Sequence, residues 1–246
     1  MIKFFRRIRQ KMLTENKINN YFIYAIGEIV LVMIGILLAL QVNNWNEERK
    51  KRITESEVIT SLNEDFKSAK LEIVGLKKLL DERTEKLGTL SENCSLKTPS
   101  ITPEKMDSLI WGGYALPTFN PPDGTLTDLL SSGKIDVIRN VELRKLLSEW
   151  NGTLQQVKRQ ELFQGEFLYK RYTPFIEERV EFKHPRFEKY MKMEKADSFE
   201  IDSRELLKDV NFCNLVRRSI YFNLFVSYYY QGIEKDIDNI IELTQK

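Results

Sequence analysis

Apolar and polar positions divide the chain into two regimes. From Tyr21 to Val42 apolar residues run almost unbroken, and thirteen of these 22 residues are Leu, Ile, Val or Phe. As a helix the run would extend about 33 Å, enough for a hydrocarbon core of about 30 Å. Its side chains contribute on the order of −4 to −8 kcal/mol to insertion. A mid-membrane acid costs roughly 2.5 to 3.5 kcal/mol, and Glu28, off-centre, costs less, so insertion wins. The pattern predicts a transmembrane helix over 21–42. The run exceeds the roughly 7 to 15 apolar residues of a cleaved leader, and Leu38-Ala39-Leu40-Gln41 is a poor cleavage site. The expectation is an uncleaved signal anchor.

Beyond Trp45 the pattern becomes periodic. Ile59, Leu62, Phe66, Ala69, Ile73, Leu76, Leu80, Leu87 and Leu90 recur in alternating steps of three and four, with Arg83 in the one position that lacks an apolar side chain. Such a heptad predicts one long helix, packed in a bundle or coiled coil and ending between Gly88 and Asn93. After a loop containing Pro99, Thr102 and Pro103 suit the cap and first position of a short helix reaching about Trp111. Residues 112–124 are rich in turn formers. Thr125 to Ser132 reads as a short helix stopped by Gly133.

Asn140 is a fitting cap for a long helix through Leu146, Leu147, Trp150, Leu154 and Val157 toward Tyr172. Pro174 should kink or break it, and a further helical stretch should run to about Phe182, before His184-Pro185. A last long helix, about Asn211 to Leu243, would bury Phe222, Val226, Tyr229, Ile233, Ile237 and Ile240. No strand alternation and no repeat stands out. The expected fold is all-α: an N-terminal single transmembrane helix followed by an antiparallel helical bundle with long heptad-like helices. The expected divisions are a basic cytoplasmic N-terminus (1–20), the transmembrane signal anchor (21–42) and a helical extracytoplasmic domain (43–246).

Charge adds orientation. The net charge is only +2, but Lys3, Arg6, Arg7, Arg9, Lys11 and Lys17 all precede the span, and the remainder is nearly balanced. A nucleic-acid partner is therefore not expected. Arg49, Lys50, Lys51 and Arg52 follow the span, so the basic bias favours a cytoplasmic N-terminus by a modest margin. In a bacterium that places the bundle in the periplasm, anchored in the inner membrane. Tyr21, Tyr24 and Trp45 stand near the two boundaries, where amphipathic rings prefer to lie.

Helical spacing puts Glu28, Val32, Gly35 and Ala39 on one stripe of the span. Gly35 and Ala39 form a small-xxx-small pair that permits close approach of another helix. One reading is a packing face against a membrane-protein partner or a second copy of the chain, with Glu28 hydrogen-bonded across it. The other is a glutamate reaching the headgroups and glycines merely tolerated by the bilayer.

Catalytic and metal constellations are not legible. His184 is the sole histidine and precedes a proline in a polar stretch, so a zinc site is not expected. Ser131-Ser132-Gly133-Lys134 lacks the earlier glycine and the following Ser or Thr of a phosphate loop. There is no G-x-S-x-G elbow. No enzyme activity and no cofactor are expected, and no small-molecule ligand can be named. Cys94 and Cys213 could pair in an oxidising compartment, although their separation does not establish it. Tyr221, Phe222, Phe225, Tyr228, Tyr229 and Tyr230 crowd the last helix, as a core with amphipathic rings at its margin or, less simply, as the lining of a pocket.

Two stretches carry a resemblance. Tyr24 to Ile29, Ile34 to Leu40 and Gln41 to Asn46 form one, and LTDLLSSGKIDVIRNVELRKLL, residues 126–147, the other. In both the chain resembles the Bacteroidota single-pass membrane protein family catalogued as domain of unknown function 6090. The resemblance implies the same anchor-plus-helices architecture and brings no activity. The expected function is an interaction, scaffold or accessory subunit of an envelope complex. The alternative is a periplasmic ligand-sensing bundle, which would need a partner subunit to pass a signal inward, since residues 1–20 alone precede the span.

Overall fold

The computed structural model describes residues 18–96, 99–112, 116–181 and 201–245. The side chains of Tyr21 and Tyr24, the basic residues before the span, and His184 with the segment around it lie outside the described residues. Among the described residues the chain is all-α, with six α-helices and no strand. The first helix, α1 (Ile18–Asn93), is followed by α2 (Pro103–Gly112), α3 (Gly124–Ser131), α4 (Val141–Phe167), α5 (Thr173–Glu177) and α6 (Val210–Thr244). Short 3-10 turns, Ile135–Val137 and Ser203–Lys208, lead into α4 and α6.

The chain divides into two units, at Glu57/Val58. In the first, α1 carries the apolar run, and the most apolar window is 0% buried within the protein. Leu31, Leu37, Leu38 and Val42 are all exposed. This one helix is long and apolar enough to cross a membrane.

The second unit is a bundle of the remainder of α1 with α4 and α6. Local signals set its boundaries. Asn140 accepts from the backbone N–H groups of Glu142 and Leu143 at 3.0 and 3.1 Å and starts α4. Asp209 does the same for α6 through Asn211 N–H. Pro103 opens α2 with Thr102 Oγ1 accepting from Lys105 N–H. At the end of α3, Gly133 takes φ +67°, while Gly133 and Lys134 N–H donate to Leu130 and Leu129 carbonyls. That is a Schellman stop, which is what the Ser-Ser-Gly-Lys stretch does here.

Pro174 neither breaks the chain out of helix nor leaves it regular. A π turn, Leu168–Tyr172, precedes α5. The proline ring cannot sit against the carbonyl four residues earlier, and a wider turn accommodates it. Regular helix then ends at Glu177, short of the expected Phe182.

Direction within the bundle is read from paired residues. Asn63 Nδ2 donates to Thr244 Oγ1 (2.8 Å), and Asn223 Nδ2 donates to Thr84 Oγ1 (3.0 Å), so α1 and α6 run antiparallel. Lys70 bridges Glu234 and Asp238 between these pairs. Phe66 meets Trp150 edge-on at 4.8 Å, whereas the later Leu87 and Leu168 share another cluster, so α1 and α4 run parallel. The antiparallel expectation thus holds for α6 alone. The path through α2 and α3 carries the chain back to the end where α4 can start.

Two apolar clusters fill the interior. One joins Leu62 to Leu80 of α1 with Leu143 to Val157 of α4 and Val226 to Ile240 of α6. The other joins Leu87 and Leu90 with Trp111 of α2, Leu168 and Tyr172, and Phe212 to Val216 of α6. Between them each long helix turns a polar residue inward: Arg83, then Glu161 and Gln164, then Ser219 and Asn223, all buried. This waist corrects the expected face of α6. Asn223 and Tyr230 are fully buried where Phe222 and Tyr229 were expected, and the latter two lie at the margin. Asn223 goes in because Gln164 and Thr84 supply hydrogen bonds that satisfy it there.

Candidate functional site

Three features could carry function. The first is the stripe of the apolar segment. Val32, Gly35 and Ala39 are all exposed, and Glu28 is partly so. A Cβ built at Gly35 would meet nothing within 4 Å, so the chain itself packs no element against that glycine. Trp45 is likewise exposed.

The second is the cysteine pair. Cys94 and Cys213 form a disulfide with Cα atoms 5.9 Å apart. It ties the turn after α1 to the first turn of α6. The same turn is held by Ser95 N–H donating to Leu207 carbonyl at 3.0 Å, and by Asn93 Oδ1 accepting from Ser100 N and Oγ.

The third is a face of the bundle that sequence reading missed. Phe167, Arg171, Phe175 and Arg179 follow one another at four-residue steps along α4, the π turn, α5 and its end. Opposite them stand Asn211, Asn214, Leu215 and Arg218 on the first turns of α6. Together they line a groove of ≈ 630 Å³ with three guanidinium groups and no acid in its lining. Aromatic rings hold two of the three: Arg179, which also pairs with Glu178 at 3.0 Å, lies 3.8 Å from the Phe175 ring centroid, and Arg218 lies 5.3 Å from that of Phe222. The groove continues along α6 into an exposed apolar stripe of Tyr221, Leu224, Phe225 and Tyr228. Tyr221 packs on Phe225 and on Phe222, which in turn meets Phe167. The spacing i, i+3, i+4, i+7 is that of a face prepared to receive another helix. The aromatic crowding was visible in the sequence. The arginines could have been found by testing the segment through Pro174 for helical period instead of stopping at the proline.

Glu161 shows what a buried carboxylate does in this fold. Its Oε1 accepts from Tyr230 Oη at 2.6 Å and from Phe119 N–H at 2.9 Å. Burial pushes the carboxyl pKa upward, and the two hydrogen bonds oppose that. Burial and the adjacent Glu161 likewise raise the Tyr230 hydroxyl. Tyr230 also donates to Pro117 carbonyl, and Glu72 accepts from Asn120 N–H. These bonds pin the loop before α3 to the bundle, a structural role. Among the described residues no three His, Cys, Asp or Glu side chains are grouped to hold a metal.

The molecule is thus an all-α protein whose first helix combines a stretch able to cross a membrane with one strand-free bundle among the described residues. The chain belongs to a family of unknown function, DUF6090, whose model matches residues 28–224, from Glu28 of the apolar stretch into the first half of α6. No curated protein and no solved structure matches it.

Proposed function

We propose that this protein is a membrane-anchored, non-catalytic interaction module, an accessory or scaffold subunit of an envelope complex. The observation that carries the reading is the face on α6. Tyr221, Leu224, Phe225 and Tyr228 are 42–71% exposed at helical spacing, beside a groove lined by three arginines. Exposed aromatics with arginine are the composition of interface centres. The partner that fits is an amphipathic helix with acidic residues at one end. The stripe of Glu28, Val32, Gly35 and Ala39 would add a contact within the bilayer, against a partner span or a second copy.

The orientation we infer has the basic N-terminus in the cytoplasm and the bundle in the periplasm of a bacterium. The basic leader favours it, and a disulfide between Cys94 and Cys213 is at home in an oxidising compartment.

Site-specific photocrosslinking in native membranes tests the proposal. Probes at Leu224 and Tyr228 should give one discrete adduct, and Arg218→Glu should reduce it several-fold while the far-ultraviolet spectrum stays helical. A probe at Leu31 should give an adduct that Gly35→Leu abolishes and Glu28→Leu weakens. Absence of any adduct from both faces would exclude the interaction reading. Alkaline phosphatase fused after Lys246 should be active; an inactive fusion with a bright cytoplasmic reporter would reverse the orientation.

A further inference from the structure

The apolar run of α1 gives way to residues that change character within two turns. Trp45 is 65% exposed. Glu47 and Glu48 follow, then four bases, Arg49, Lys50, Lys51 and Arg52, without a break in the helix. The structure gives these charges different tasks. Lys50 Nζ reaches back to Glu47 Oε1 at 3.0 Å, and Lys51 Nζ to Glu48 Oε1 at 3.3 Å. Each lysine thus offsets the glutamate one turn nearer the apolar run. Arg49 and Arg52 are both exposed and stand at i+4 and i+7 from Trp45. The indole and the two guanidinium groups therefore share one face of the helix. Ring first and cations next is the order in which the edge of a bilayer presents its layers.

The inference rests on residues 21–42 being the membrane span. Trp45 then lies about 4.5 Å past the hydrocarbon edge, Arg49 about 10 Å and Arg52 about 15 Å, at about 1.5 Å per residue. The headgroup layer is about 5 to 8 Å deep. Helical side chains lean toward the N-terminus of their helix, which on this side of the span is back toward the bilayer. Both long arginine side chains thus lower their charge toward the phosphates, while the ring stays at the base of that layer. We infer that the Trp45–Arg49–Arg52 face is a binding site for an anionic phospholipid. Its phosphodiester lies between the two guanidinium groups and its glycerol against the indole. A guanidinium fork matches phosphate oxygens in paired N–H···O bonds. A zwitterionic headgroup brings its own cation into the same layer and repels the arginines, whereas a headgroup of net negative charge does not.

Tryptophan fluorescence of the full chain tests this in phosphatidylcholine vesicles that hold a minor fraction of phosphatidylglycerol. Bromines on the acyl chains of one lipid at a time quench an indole that lies beside that lipid. Trp111 and Trp150 are 1% and 2% exposed, so the quenched signal belongs to Trp45, and Trp45→Phe should abolish it. Brominated phosphatidylglycerol should quench several-fold more than an equal amount of brominated phosphatidylcholine in vesicles of the same composition. Arg49→Gln combined with Arg52→Gln should bring the two lipids to equal quenching. Lys50→Gln combined with Glu47→Gln removes an ion pair, leaves the net charge unchanged and should keep the preference. Equal quenching of the wild type by both lipids, or a preference that survives the loss of both arginines, overturns the inference and leaves the span standing. If neither lipid quenches Trp45, the span itself is misplaced and the inference falls with it.

Discussion

At the scale of single residues, the buried polar groups divide into satisfied and exposed-to-cost. Glu161 is of the first kind, and its raised pKa has a sign that can be measured. The folded chain holds this proton more tightly than the unfolded chain, whose carboxyl titrates near 4.5. Stability from this group is therefore fully present below that value and is lost as pH rises through the folded pKa. Glu161→Gln keeps both acceptor contacts and cannot titrate, so its melting temperature should decline less than the wild type's as pH rises from 4 upward. A parallel decline in both proteins would remove Glu161 as the cause. Asn223 offers a second test. Asn223→Leu strands the Gln164 Nε2 group, while the Thr84 hydroxyl keeps its bond to the Leu80 carbonyl, and should cost about 1–3 kcal/mol in urea unfolding. Adding Gln164→Leu should restore part of that loss, because an apolar pair leaves nothing unpaired. Arg83 was legible as the gap in a heptad. Asn223 was not, because a lone asparagine among aromatics looks peripheral until its partners on two other helices are known.

At the scale of elements, most boundaries were written locally. Asn140, Pro103 and Gly133 each act within a few residues of themselves, so cap and stop chemistry sufficed. What could not be read was relative direction. Nothing near Trp150 announces that α4 runs with α1, since that follows from the length of the return path and from the Phe66–Trp150 contact. The two cysteines are a similar case. Their pairing depends on α1 and α6 lying antiparallel in register, a fact absent from either sequence neighbourhood. The bridge spans a separation of 119 residues, and closing so long a loop restricts the unfolded chain strongly. Cys94→Ser or Cys213→Ser should lower unfolding stability by about 2–4 kcal/mol, and reductant should bring the wild type down to the same level. A wild type whose urea midpoint ignores reductant would mean that the bridge carries no stability.

At the scale of the whole chain, the sequence conveyed the division of labour between an apolar stretch and a helical bundle, but not the surface that the bundle offers. Exposure of Tyr221, Leu224, Phe225 and Tyr228 is a property of the packed fold. Helical period alone places these residues on a face without saying whether it is covered. The disulfide has a further effect when the molecule is considered as a mechanical object. Asn63 meets Thr244 at one end of the α1–α6 pair, and Cys94 meets Cys213 at the other. Tension applied between residue 58 and residue 245 therefore peels the pair open like a zip, one contact at a time, at low force. The peeling stops at the sulfur–sulfur bond. The segment between the cysteines is off the covalent path of the load, and α4 only loses its packing against the two arms as they peel. In a pulling experiment the extension should end after the two peeled arms, and the enclosed loop should lengthen the tether only once a reductant is added.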